Sequence, residues 1–361
     1  MNEHSQKQGN KNKIYRFIHE HRETFRQQIA DELHISLSTI SQNLSELEQE
    51  GLIDRSSFQK TAAGRNRKVI HIIPDTRIAL GVQIENNRLL LTAVDLYGDL
   101  LAARSVPADY ENSDHYYESA VQQIMDFIQQ ENLDSGKISG ISFSLSDRLY
   151  PEDPDAFLSG FSTGLSFPCH LEKDSTAAAT WELWTNPALE NALVLLLNEN
   201  LSGSVITGHQ IHHGSKNHGG SVEHICLNPE GPLCYCKNRG CFDAYCSVSA
   251  LESVSKMPVS DFLANLKKNK DFSLIRIWDE YLSMLALAIR NLNLIIDGPV
   301  IIGGYLSSYF TPNVQSYLLS KINAATPFPL DKKDLQVSRL GEYTAAAGAA
   351  LYFINDFINT L

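Results

Sequence analysis

The sequence predicts an α/β protein of two similar lobes, preceded by a small helical domain that ends in a hairpin. Three observations predict it: apolar residues at helical spacing over 12–53, a basic strand–turn–strand pattern after residue 55, and alternating strand and helix patterns from residue 77 onward. The 361 residues suffice for two or three domains, and 43% hydrophobic with 20% charged residues is ordinary for a soluble globular chain. No apolar run reaches the ~18 residues of a membrane span. The polar start MNEHSQKQGNKNK has no signal-peptide core. A cytoplasmic protein without membrane insertion is therefore expected.

The net charge of −12 is unevenly spread: residues 1–75 carry +1 and the remainder −13. Lys60, Arg65, Arg67 and Lys68 place four cations within nine positions. Ile14, Phe17 and Ile18 mark a first helix. Thr24 is placed to cap a second, whose stripe is Ile29, Ala30 and Leu33. Ser36 or Ser38 caps a third, with Ile40, Leu44 and Leu47 inward and Gly51 as its stop. Two helices with a tight turn, followed by a basic hairpin, predict a winged helix-turn-helix over residues 1–75. A recognition helix enters the major groove by its N-terminus, where Ser38, Thr39, Ser41, Gln42 and Asn43 stand. Arg65, Arg67 and Lys68 on the wing suit phosphates or the minor groove. The expected partner is double-stranded operator DNA; a merely solvated face of a small interaction domain is the bland alternative.

From residue 77 the chain reads as three strands with tight turns at 85–87 and 97–98, a helix over 113–133 and a strand over 137–146. A helix from 175, a buried strand over 191–200 and a polar hairpin over 203–214 follow. A long helix over 274–297, a strand over 298–308 and a last helix over 342–358 complete it. The expected division is a first lobe over 76–190, completed by the C-terminal helix 342–361, and a second lobe over 191–341.

The stretch CYCKNRGC brings Cys234, Cys236 and Cys241, three of the six cysteines, into eight residues. A thioredoxin-like Cys-x-x-Cys after a strand is absent, and disulfides do not suit a reducing cytoplasm. Here the chain resembles the ROK family, the sugar kinases and sugar-responsive repressors of actin/hexokinase-like (ribonuclease H-like) fold. The resemblance covers nearly the entire chain. It rests on IALGVQI…TAVDLYGDLLA, LSFPCHLEKDSTAAA, VIIGGYLS and TAAAGAAL, and most specifically on GGSVEHICLNPEGPLCYCKNRGCFDAYCS. An N-terminal winged helix resembles the family's repressors rather than its kinases. The resemblance implies a zinc site of His224, Cys234, Cys236 and Cys241, and thiolates with imidazole suit zinc in tetrahedral coordination. Cys226 and Cys246 flank it as alternative ligands. A closed four-ligand zinc is structural, because no open position remains to activate water.

The same resemblance marks departures. Where a family kinase carries the phosphate turn Asp-x-Gly-Gly-Thr, this chain has Gln83 followed by Glu85-Asn86-Asn87, and a carboxylate there repels phosphate. The second phosphate element is eroded to NENLSGSVITG. Asp174 matches the catalytic base, but a base without bound nucleotide transfers nothing, so no enzymatic activity is expected. The sugar-ligand positions hold Lys173, Asp174, Ser221, His224 and Asp243, of which only Asp174 and His224 keep the family residue. Lys173 suits a sugar phosphate or sugar acid; otherwise it pairs with Glu172, Asp174 or Asp243. His209, His212, His213 and His218 form a solvated hairpin tip or a second metal site. Two-fold dimers suit a palindromic operator. The expected function is repression of carbohydrate-metabolism genes under a sugar or sugar-derivative effector. The alternatives are a hexose kinase, or a regulator answering to a protein partner.

Overall fold

The apolar stripes of the first 53 residues close on one another as α1 (Glu3–His21), α2 (Arg26–Leu33) and α3 (Leu37–Gln49). The computed structural model describes residues 3–60, 66–216, 218–268 and 271–361. Ile14, Ile18, Ile29, Ile40, Leu44 and Leu47 are all fully buried, as facing helical stripes require. Ser36 caps α3, its hydroxyl accepting from the Thr39 N–H, and Gly51 ends that region at φ +70°. Thr24 does not cap α2. Its backbone bridges to Ile70 and its buried hydroxyl donates to Gln28, which leaves the helix start at Phe25 without a side-chain cap. Strands β1 (Ile53–Asp54) and β4 (His71–Ile72) pair antiparallel at the base of the wing, whose arms are β2 (Phe58–Lys60) and β3 (Asn66–Lys68).

The first lobe is a five-stranded sheet in which β5 (Ile78–Ile84), β6 (Arg88–Val94) and β7 (Leu100–Pro107) run as an antiparallel meander. After α4 (Asp114–Gln130), β8 (Ile138–Leu145) joins parallel to β5; after α5 (Pro154–Ser162), β9 (Cys169–Lys173) joins parallel to β8. Tyr117, Phe143, Phe157 and Phe161 fill the layer beneath α4 and α5. Helix α6 (Asp174–Thr185) then leads to the second lobe.

That lobe repeats the plan. A hairpin of β10 (Ala192–Leu197) and β11 (Leu201–Thr207), edged by β12 (Gln210–Ile211), is extended on its other side by two parallel strands. Its outer layer is α7 (Asp243–Cys246), α8 (Val248–Ser255), α9 (Val259–Lys267) and α10 (Phe272–Ile296). Strand β13 (Val300–Gly303), α11 (Pro312–Asn323) and β14 (Leu335–Val337) complete it. The alternation of hairpin and parallel crossover in each half is the two-lobed α/β plan read from the sequence.

The last helix, α12 (Thr344–Thr360), returns to the first lobe and packs on β5 and α6. Its run of alanines exists for close approach. A Cβ at Gly81 would stand 1.7 Å from the Ala346 carbonyl oxygen, and one at Gly348 1.8 Å from that of Ala177. The far end of α12 shares one core with the winged helix: Ile14, Ile18, Ile354 and Ile358 are buried together with Trp181. Asn12 Nδ2 donates to the Ile358 carbonyl, and the Tyr15 and Phe357 rings meet edge to face. The winged-helix domain is thus packed onto the lobe, not merely tethered to it. Among the described residues, no helix is long and apolar enough to cross a membrane.

Candidate functional site

Residues 224–241 fold into a knuckle with little regular structure of its own. Cys226 bridges to Cys241 and Leu233 to Arg239, and the turn between them is held by the Cys234 N–H on the Asn238 carbonyl and the Lys237 N–H on the Cys234 carbonyl. Gly240 sits at φ +72°, where a Cβ would lie 1.6 Å from the Asn228 carbonyl oxygen; no other residue fits there. The knuckle brings the donor atoms of His224, Cys234, Cys236 and Cys241 within 4.8 Å of one another. His224 Nδ1 lies 3.8 Å from Cys234 Sγ, and Cys236 Sγ 3.7 Å from Cys241 Sγ. Thiolates bound tetrahedrally at the zinc–sulfur distance lie about 3.8 Å apart, so these two spacings match a metal-ligand set and the four residues are placed to hold an ion. Cys226 and Cys246 point elsewhere, toward the carbonyls of Arg239 and Tyr281. The other imidazole nitrogen, His224 Nε2, faces Tyr235 Oη at 3.2 Å and Glu223 at 3.9 Å, the outer-shell arrangement that fixes a ligating histidine. Three of the hairpin histidines, His209, His212 and His213, and His218 after them, are exposed and join no such cluster among the described residues.

The five predicted sugar-ligand residues do not line one pocket. Lys173 and Ser221 border a recess of only 20 Å³, room for about one water. Asp147 and Glu223 border it too, and Lys173 pairs with Asp147 at 2.5 Å rather than with Glu172, Asp174 or Asp243. The reason is topological: the loop leaving β8 passes over the end of β9, where Lys173 ends the strand. Asp174 opens α6 wholly buried, with Oδ1 lacking a hydrogen-bond partner. Burial pushes its carboxyl up to about 7, against a weaker pull from Ser202. Glu223, which sequence reasoning missed, is equally buried, and burial pushes it up to about 8, with Asp147 and Asp174 adding to the rise. The family position two residues earlier had drawn attention to Ser221 instead; no spacing rule distinguishes the two.

Asp243 faces a separate cavity of 680 Å³ beneath the knuckle, lined also by Arg148, Asn200, Tyr235 and Ser247. One Asp243 oxygen accepts from the Leu201 N–H at 2.8 Å, tying α7 to β11. Arg148 Nη1 donates to Asn200 at 3.1 Å and its guanidinium lies 5.7 Å from the Tyr235 ring centroid. Arg148 was not singled out from the sequence, because a cation in a loop carries no signal of what it faces.

At the winged helix, Ser38 and Gln42 are exposed on the first turns of α3, with Thr39 and Ser41 half-buried. Asn43 is buried and donates to the Thr39 carbonyl, so it faces the core and not a groove. A recess of 490 Å³ separates α2, α3 and the wing, lined by Arg26, Ser41, Arg55, Arg67 and Lys68. Arg26, another cation missed in the sequence, donates to Ser41 Oγ at 3.1 Å. Arg55 is paired with Glu48. Arg65 lies outside the described residues.

Comparison with known proteins agrees with this arrangement. The ROK family model matches residues 79–356, and a winged helix-turn-helix DNA-binding model matches residues 9–54. The DNA-binding transcriptional dual regulator NagC of Escherichia coli is 24% identical over 268 residues, covering 68% of this chain and 64% of that regulator. The structure of a ROK family transcriptional regulator homologous to the E. coli MLC protein superposes with a TM-score of 0.76 at 18% identity, over 98% of this chain and 97% of that one. A ROK family glucokinase from Streptomyces griseus, solved with glucose and AMPPNP, superposes with a TM-score of 0.60 at 18% identity, over 76% of this chain and 98% of that one. The chain belongs to the ROK family and carries a winged helix-turn-helix at its N-terminus.

Proposed function

We propose that the chain is a cytoplasmic transcriptional regulator, a repressor of carbohydrate-metabolism genes, that binds operator DNA as a homodimer and responds to a sugar-type effector. The observation that carries this reading is the packing of a winged helix with a basic recess onto a ROK domain whose phosphate turn carries the buried carboxylate of Glu85. Burial raises the Glu85 carboxyl above its usual range while Arg88 opposes the rise, and no phosphate-binding glycines accompany it. The division supporting this function is 1–75 for the DNA-binding domain, 76–190 with 342–361 for one lobe, and 191–341 for the other.

Four donors gathered within 4.8 Å of one another support a structural Zn²⁺ held by His224, Cys234, Cys236 and Cys241. Bound there, zinc would supply the charge that keeps three adjacent thiolates together; burial, with Cys236 and Cys234 adding to the rise, pushes the Cys241 thiol up to about 12. The knuckle so held forms one wall of the 680 Å³ cavity, a size suited to a small ligand. The Lys173–Asp147 pair engages the cation that had suggested an anionic effector, so Lys173 gives no reason to prefer a sugar phosphate or sugar acid over a neutral sugar. No phosphotransfer follows from this arrangement.

Fluorescence anisotropy on the duplex upstream of its own gene, with and without neutral sugars, tests the reading. Binding weakened by a sugar is expected. Operator affinity indifferent to every sugar would sink the effector, and ADP release from ATP and hexose would sink the non-enzymatic reading.

A further inference from the structure

The two turns that the family resemblance associates with phosphate binding are joined to each other in this chain. The β5–β6 turn belongs to the first lobe and the β10–β11 turn to the second. Asn86 Nδ2 donates to the Glu199 carboxylate across the cleft. Beside it, Arg88 Nε donates to Glu85 Oε2 and Arg88 Nη1 to Glu342 Oε2, both at 2.6 Å. The guanidinium also lies 5.1 Å from the centroid of the Tyr305 ring, at the edge of the second lobe. Arg88 and Glu85 are largely buried, so the pairs are poorly screened by solvent.

Glu342 opens the segment that returns to the first lobe, at the point where the second lobe holds the residue before it. Its neighbour Gly341 accepts from the Gly304 N–H at 3.0 Å, which ties the segment to the second lobe just after β13. Two residues later the chain enters α12. That helix is 17 residues long, about 25 Å, and its last turns carry Phe357 and Ile358 into the core of the winged helix. Arg77, at the junction between the two domains, stacks over the Phe357 ring at 5.3 Å. Gly348 and Gly81 hold the middle of α12 against α6 and β5 at backbone contact, so it moves as a rod or not at all.

We propose that Arg88, held between Glu85 and Glu342, positions the two lobes in place of a nucleotide, and that α12 relays the lobe angle to the winged helix. Arg88 is a positioning residue: it lines neither the basic recess of the winged helix nor the 680 Å³ cavity. The latched form is the one that binds operator. This regulation rests on the regulator reading above, but its structural half stands apart from it.

The test uses the full chain and the variants Arg88→Gln, Glu342→Gln and Arg88→Lys. Hydrogen exchange should quicken in residues 84–88 and 339–344 in both Gln variants, and also in residues 12–22 and 354–360 at the far end of α12. Operator affinity, read on the upstream duplex, should fall on the order of fivefold, with Arg88→Lys restoring part of it. Glu342→Gln keeps the shape of the segment and so separates unlatching from misfolding. Exchange changed only near the turn, with operator affinity unaltered, would overturn the relay. If the wild type binds no DNA, the regulator reading fails while the exchange pattern still decides the latch.

Discussion

The Lys173 ammonium lies 2.5 Å from Asp147 Oδ1, an ion pair between the last residue of β9 and the loop that leaves β8. It neutralises the one cation that had suggested an anionic effector, and it closes a recess that holds no more than a water.

Asp147→Asn should therefore change ligand class. With its partner gone, Lys173 is free to accept an anion, and a charge-assisted hydrogen bond contributes about 1.5–3 kcal/mol. Isothermal titration should find the variant binding a sugar phosphate at least about tenfold tighter than the wild type does. An unchanged preference would place the effector away from Lys173.

Removing a ligand of the knuckle tests the metal. Cys241 is buried, and Cys241→Ser should lower bound zinc from one per chain and destabilise by about 3 kcal/mol or more. Elemental analysis and thermal melting read the two effects. A melting point unaffected by either the substitution or a chelator would mean that the thiols simply pack.

On the DNA face, Arg26→Ala and Arg67→Ala should weaken binding to all sequences alike. Each should flatten the slope of log affinity against log salt by about 0.9, because one phosphate contact is lost. Gln42→Ala should instead relax preference at one base pair, costing about 1–3 kcal/mol of discrimination. A salt slope untouched by both arginine variants would remove the recess from the DNA interface.

The buried acid at the start of α6 predicts a pH dependence. Burial raises Asp174 from 3.8 to about 7, so the folded chain holds a proton there that the unfolded chain has released. Stability from this group is full below pH ~4 and falls as pH rises toward ~7, by about 1.4 kcal/mol per unit at most. Asp174→Asn should flatten denaturant-derived stability across that window. A slope identical to the wild type would assign the dependence to other acids.

Residue order and local chemistry were enough to read the winged helix, the lobe plan and the knuckle. Helical stripes such as Ile40, Leu44 and Leu47 are set by a period of 3.6 residues, and three thiols within eight residues need no distant partner to suggest a metal. The misreadings share a cause. Thr24 looked like a cap until Ile70, 46 residues away, claimed its backbone. Asn43 looked like a groove contact until the turn of the helix pointed it inward.

What the sequence determined by itself is what neighbours along the chain can decide: which segments are helix or strand, where caps and turns fall, and which side chains can share a metal. Tertiary structure alone decided which charges meet. Glu85 reads as a residue that repels phosphate and pairs locally with Arg88, but only packing brings Glu342, 254 residues beyond Arg88, to the same guanidinium. Lys173 meets Asp147, and Glu223 rather than Ser221 is buried in the cleft, for the same reason. An ion pair depends on distance in space, and that distance is set by how two sheets and the last helix pack.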